Sequence, residues 1–246
     1  MKRNNRCYRV KKISAIFVIA MLVYLLLLKE DIIYASARQT EIDGNNDSKV
    51  VVVSLGDSFS SGEGIEPFYG QEKIPADKVR DENWLAHRSE KSWPGQLEFS
   101  EIDGTLKDYW TESMNSDVCE WYFVASSGAE TKHITKKEQK KEYALFEHVQ
   151  MGTSDSREEP VAIGEYELSK QIDIFKQINE PIDYVTLTIG GNDVDFVGVI
   201  KAAVTGSYMK TSTLKKKLDK LWDNIEITKK DLRNTYIEIA KATENQ

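Results

Sequence analysis

"VVVSLGDSFSSGEG", residues 51 to 64, carries an apolar run straight into Gly56, Asp57, Ser58 and a string of small residues. With Val50 the run holds four consecutive valines, and β-branched side chains of this kind suit a pleated, extended backbone. The near absence of polar alternation points to a strand covered on both faces, as in a parallel sheet. Two further runs read the same way, "EWYFVAS" at 120 to 126 and "DYVTLTI" at 183 to 189. Between them "EYELSKQIDIFKQI" sets Leu168, Ile172, Phe175 and Ile178 at helical spacing ahead of Pro181, which predicts a helix. Strand, helix, strand is the α/β arrangement.

Each apolar run ends in small polar residues: "GDSFSSG", then "SSGAE", then "GGNDVDF". In a parallel sheet the carboxyl ends of the strands lie on one edge, so three loops distant in sequence converge on one crevice. Gly56, Gly128, Gly190 and Gly191 suit places where the backbone turns sharply or lies against a ligand. Ser58 falls in the first turn after its strand. A serine hydroxyl is a weak nucleophile unaided, but hydrogen-bond donors around it stabilise the oxyanion that its attack creates. The backbone N–H groups of Ser58 and Gly128 and the side-chain amide of Asn192 are the candidate donors. Any one of these motifs alone reads as an ordinary turn. Three in order, each at a strand end, point to a catalytic crevice.

The stretch from 63 to 117 carries Trp84, Trp93 and Trp110, which read as core, and Ser92-Trp93-Pro94 reads as a helix start with proline in the first turn. Residues 132 to 160, with "KKEQKKE" and "SDSREE", read as a solvated excursion. Two helical segments follow Asn192; in the second, Thr228 and Asp231 resemble a capping box, and Leu232, Tyr236 and Ile239 form an apolar stripe. Residues 49 to 246 are expected to form one domain.

The amino terminus differs. Six Lys or Arg in "MKRNNRCYRVKK" precede an apolar run of sixteen residues from Ile13 to Leu28, and "ASA" at 35 to 37 has the form of a processing site. The expectation is an export signal over 1 to 37, cleaved after Ala37 or kept as a membrane anchor through residues 13 to 28, followed by a linker over 38 to 48. The protein is then extracellular or at the cell surface. Residues 1 to 37 carry a net of +5, so of the chain's −7 the remainder holds −12. Such an acidic body disfavours nucleic acid, whose affinity comes from Lys and Arg neutralising phosphates. "DGNND" at 43 to 47 reads as a turn, since it lacks the Gly and Glu positions of a calcium loop. Cys119 alone of the two cysteines reaches the folded part, which excludes a disulfide within it.

Together, "GDSFSSGEG", "SSGAE" and "GGND" resemble blocks I, II and III of the SGNH or GDSL hydrolase superfamily. "HRSEKSWPGQL" at 87 to 97 resembles the Arg-Ser and aromatic-Pro element of its secreted bacterial lipase and esterase branch. The resemblance runs from about Val50 to Phe196. It implies a flavodoxin-like α/β/α sandwich with a parallel sheet, hydrolysis of lipid or acylated-glycan esters without metal or cofactor, Ser58 as nucleophile, and Gly128 and Asn192 joining the Ser58 amide as the oxyanion hole.

Two features depart from the pattern. Paired cysteines common in this branch are replaced by Ala86 and Ser126. The superfamily's base comes from an Asp-x-x-His block, whereas Trp84, Glu130 and Leu145 stand three residues before His87, His133 and His148. His87 therefore reads as structural, and the chain is expected to stop short of the base-bearing block and of the remaining strands. The rival expectation is a non-catalytic surface module binding glycans or lipids in the same crevice with its tryptophans.

Overall fold

The valine run forms strand β1 (Val50–Gly56), every residue of which is buried. β1 pairs in parallel with β2 (Cys119–Phe123), from Val50 opposite Cys119 to Ser54 opposite Phe123. On its other side it pairs in parallel with β5 (Tyr184–Thr188), from Val52 opposite Tyr184 to Gly56 opposite Thr188. The sheet order is thus β2-β1-β5. This computed structural model describes residues 49–70, 81–110, 116–150, 156–205 and 211–244. Alternation along β1 sends Val51, Val53 and Leu55 into one core with Ile134, Phe175, Ile178 and Ile239, and Val50 and Val52 into another with Leu106, Trp110 and Trp121. Burial on both faces is why the run has no polar alternation, and the described residues form an α/β fold.

Short helices carry the connections: α1 (Ser58–Ser61), α2 (Glu82–Leu85), α3 (Thr131–Thr135), and 3-10 turns at Pro94–Gln96, Leu106–Tyr109 and Gln171–Gln177. Proline does open the turn after Trp93. Residues 132 to 160 are not a loose excursion. β3 (Gln139–Gln150) and β4 (Ser156–Leu168) pair antiparallel from Gln139 opposite Leu168 to Gln150 opposite Ser156, with a register shift after Leu145. The helix expected over 165 to 178 is likewise corrected. Its first residues complete β4, and only Gln171–Gln177 coils, burying Phe175. Hairpin pairing consumes the backbone groups that a longer helix would have used.

The described residues divide into two compact units, one spanning 193–227 and the other holding the rest. The smaller contains α4 (Phe196–Thr205) and the start of α5 (Thr211–Glu244), with Val194, Val199 and Leu221 as its core and Lys217 bonded to the Asp195 carboxylate. Thr228 is a buried residue inside α5, so the helix start expected there is corrected, although Ile239 does reach the core.

The expectation of a membrane anchor is also corrected. Spanning a bilayer takes about 20 apolar residues in a helix, and among the described residues no helix is long and apolar enough to do so. The run from Ile13 to Leu28, the signal segment 1 to 37 and the linker 38 to 48 lie outside the described residues. The anchor, the transmembrane helix and the extracellular or cell-surface placement drawn from them are withdrawn.

Candidate functional site

Ser58 opens α1 directly beyond β1, and its conformation is set by the residue before it. Asp57 caps the helix: its Oδ1 accepts from the Phe59 N–H at 3.1 Å and from the Thr188 hydroxyl at 3.0 Å. The Asp57 N–H donates to the Thr188 carbonyl at 2.8 Å, and the Thr188 and Ser60 hydroxyls lie 2.7 Å apart. The end of β5 therefore holds the turn at three points. Gln171 holds it from the far side, accepting from the Gly56 N–H at 2.7 Å and donating to the Gly56 carbonyl at 2.8 Å. Gly56 has φ +134°, and an added Cβ would lie 2.5 Å from the Thr188 carbonyl oxygen. Ser58 itself is half-buried.

The second loop lies against the first, with the Ser126 N–H donating to the Gly56 carbonyl at 3.0 Å. Gly128 is exposed with φ +76°. The preceding carbonyl, Ser127 O, accepts from Gln139 Nε2 at 2.8 Å and from Lys141 Nζ, both on β3. The third loop reaches the second through Asn192, whose Nδ2 donates to the Ala129 carbonyl at 2.7 Å, and reaches the first through Gly191, where a Cβ would lie 3.9 Å from Asp57 Oδ2. The loops bearing Ser58, Gly128 and Asn192 thus share one rim. An amide has two donor hydrogens, so Asn192 keeps one beyond its bond to Ala129.

Polar side chains that the sequence did not assign to the site flank this rim. Glu63 lies one turn beyond Ser58, with its N–H on the Ser58 carbonyl at 3.0 Å and its carboxylate 2.6 Å from His87 Nδ1. Burial pushes the Glu63 carboxyl up, but hydrogen bonds with Ser127 and His87 outweigh it and hold the group below its ordinary value. His87 has φ +56°, and its ring stacks on Phe68 with centroids 4.6 Å apart. Burial draws Lys141 down to about 8, against the pull of Glu63. His133 serves α3 instead, accepting from the Glu130 N–H at 2.9 Å.

The "HRS" element has a structural part as well. Buried Arg88 donates through Nε to the Ala125 carbonyl at 2.9 Å and through Nη1 to Asn83 Oδ1 at 2.7 Å, fixing the chain that leaves β2. The Ser127 N–H donates to the Ala86 carbonyl at 2.9 Å, so the segments carrying Ala86 and Ser126 abut, and both of those residues are buried. Cys119 is a buried free thiol whose pKa burial raises to about 11. Of the tryptophans, Trp110 is core, but Trp93 is 40% exposed, close to the 51% of Phe59 beside Ser58. Among the described residues no cluster of His, Cys, Asp or Glu could hold a metal ion.

No family model matches the chain, and no curated protein matches it. Among solved structures it is similar to phospholipase A1 from Streptomyces albidoflavus NA297, with 21% sequence identity and a TM-score of 0.44. That match covers 78% of this chain and 54% of the other, so the chain spans about half the length of that relative.

Proposed function

We propose that this protein is a serine ester hydrolase of the SGNH type on a flavodoxin-like α/β/α sandwich. The observation that carries the reading is that three strand-end loops are bonded to one another, the first of them leading into a half-buried serine. Gly56 bonds to Ser126 across the first two, and Asn192 bonds to Ala129 across the second and third. In this reading Ser58 Oγ attacks the ester carbonyl carbon, and the carbonyl electron pair moves onto oxygen. The oxyanion takes hydrogen bonds from the Ser58 and Gly128 amides and from the remaining Asn192 hydrogen. The serine proton passes to a general base and on to the departing alcohol; the acyl-enzyme is then cleared by water. The superfamily pattern supplies that base from its Asp-x-x-His block. Exposed Phe59 and Trp93 suit the apolar part of a lipid or acylated-glycan ester.

The test is hydrolysis of p-nitrophenyl butyrate by the full-length protein produced from its native reading frame. Ser58→Ala is expected to lower kcat by at least about a thousandfold, and Asn192→Ala by about a hundredfold. Turnover undiminished by Ser58→Ala would overturn the reading, and a parent without turnover would favour a binding module.

A further inference from the structure

We propose that Gln139 and Lys141, on the β3 hairpin, are positioning residues that aim the Gly128 N–H into the crevice as an oxyanion donor. The inference rests on the Ser58 reading above and adds to it the part of the chain that sets the donor loop. Residues two apart on a strand share a face, and both side chains bond to one acceptor, the Ser127 carbonyl. A planar trans peptide points its C=O and the following N–H in opposite directions. Two donors gripping the Ser127 oxygen from the hairpin side therefore direct the Gly128 N–H away from the hairpin.

Gly128 needs such a device. Its φ of +76° lies in the left-handed region, it is exposed, and the atom nearest an added Cβ would be the Gln139 amide nitrogen at 3.5 Å. No atom packs closely over the Gly128 Cα, and the two hydrogen bonds on the preceding carbonyl hold the peptide plane. Gln139 is buried, so its amide has a fixed geometry. Lys141 is kept beside that carbonyl although burial draws its pKa down to about 8. Lys140, the next residue, is exposed and reaches only Glu167 at 3.7 Å. At the start of β3, Gln139 and Lys141 thus meet the donor loop while Lys140 between them is left in water.

The experiment measures kcat and KM for p-nitrophenyl butyrate in the full-length protein carrying Gln139→Ala, Lys141→Met, both together, Lys141→Arg, Lys140→Met or Ser58→Ala. Each single loss is expected to lower kcat about tenfold and the pair about a hundredfold, the scale of one oxyanion donor, with KM within about twofold. Lys141→Arg, which keeps a cationic donor, should recover most of the rate, and Lys140→Met should match the parent. The parent's kcat should also decline above about pH 8 as Lys141 loses its proton, a limb that Lys141→Arg moves to higher pH. The charged and titratable groups facing Lys141 are Glu63 and Arg88, with Tyr166 opposite it on β4; the Glu63 carboxyl is held below its ordinary value and burial raises the Tyr166 hydroxyl above its own.

Parental kcat in the double variant, in a protein that Ser58→Ala silences, overturns the clamp and leaves Ser58 standing. Turnover unchanged by Ser58→Ala overturns the Ser58 reading and the clamp with it. Should the double variant melt below the assay temperature, the arginine variant decides: a rate as low as that of Lys141→Met also overturns the clamp.

Discussion

The loop carrying Ser58 and the loop carrying Gly128 leave neighbouring parallel strands, yet different parts of the chain hold them. The first is fixed by the sheet and its immediate packing: Thr188 at the end of β5 and Gln171 beneath it bind Gly56, Asp57 and Ser60. The second is held from outside by side chains of the β3 hairpin and by Glu63. One loop therefore inherits the rigidity of the core. The other, although its Ser126 and Ser127 N–H groups are tied to Gly56 and Ala86, depends also on side chains from outside the sheet, Gln139, Lys141 and Glu63, which substitution or pH can change without touching the strands.

The same substitution made in each loop should separate the two regimes most sharply. At Gly56 an added Cβ meets the Thr188 backbone oxygen at 2.5 Å and the Ser60 hydroxyl at 2.7 Å, with φ already at +134°. Neither the sheet carbonyl nor the buried serine has room to move, so Gly56→Ala is expected to cost about 4 kcal/mol or to prevent folding. At Gly128 the nearest atom is 3.5 Å away, and only the left-handed φ opposes a side chain. Gly128→Ala should cost about 1 kcal/mol. Urea denaturation of both variants checks the ordering, and equal midpoints would remove the distinction between the loops.

Gln171 comes next in size. Removing its amide leaves the Gly56 carbonyl with the Ser126 N–H, but takes the side-chain acceptor from a buried Gly56 N–H. An orphaned buried donor costs about 1–3 kcal/mol, so Gln171→Leu should lower stability by about 2 kcal/mol in the same denaturation series. Thr188→Val is milder. It removes one hydroxyl bonded to Asp57 and Ser60 while keeping volume, and is expected to cost about 1 kcal/mol.

The contrast also explains what the sequence revealed. The valine run, the two later apolar runs and their small-residue endings have local causes, namely β-branched packing and turn chemistry, so the parallel sheet and the convergence of its loops were legible. Gln171 was not, because a glutamine in an apparently helical stretch gives no sign that it will bond both backbone groups of a glycine more than a hundred residues earlier. The hairpin escaped for a related reason. "KKEQKKE" has the charge of a solvated face, and most of its side chains are solvated, while the pairing of Gln139 with Leu168 and of Lys141 with Tyr166 depends on a partner strand distant in sequence. His87 read as structural from its spacing alone; its 2.6 Å contact with Glu63 joins residues 24 positions apart that no local pattern links.

Glu63 is the group that touches both loops, through its backbone to Ser58 and through its carboxylate to Ser127 and His87, and it makes their difference dependent on pH. Its folded-state pKa lies below its ordinary 4.5. The stabilisation it supplies is therefore complete above that value and disappears as pH falls through the lower, folded-state pKa. The carboxylate is 43% exposed, so solvent screening keeps the effect the smallest of this series. Glu63→Gln should melt slightly below the parent at pH 7, and the two curves should converge as the pH is taken below 4. Hydrogen exchange places the change within the molecule. Acid should speed exchange at Ser127, whose N–H is bonded to Ala86, and leave Asp57, whose N–H is bonded to the end of β5, at its neutral-pH protection after correction for the intrinsic rate. Equal acceleration at both amides would mean that the two loops share one support.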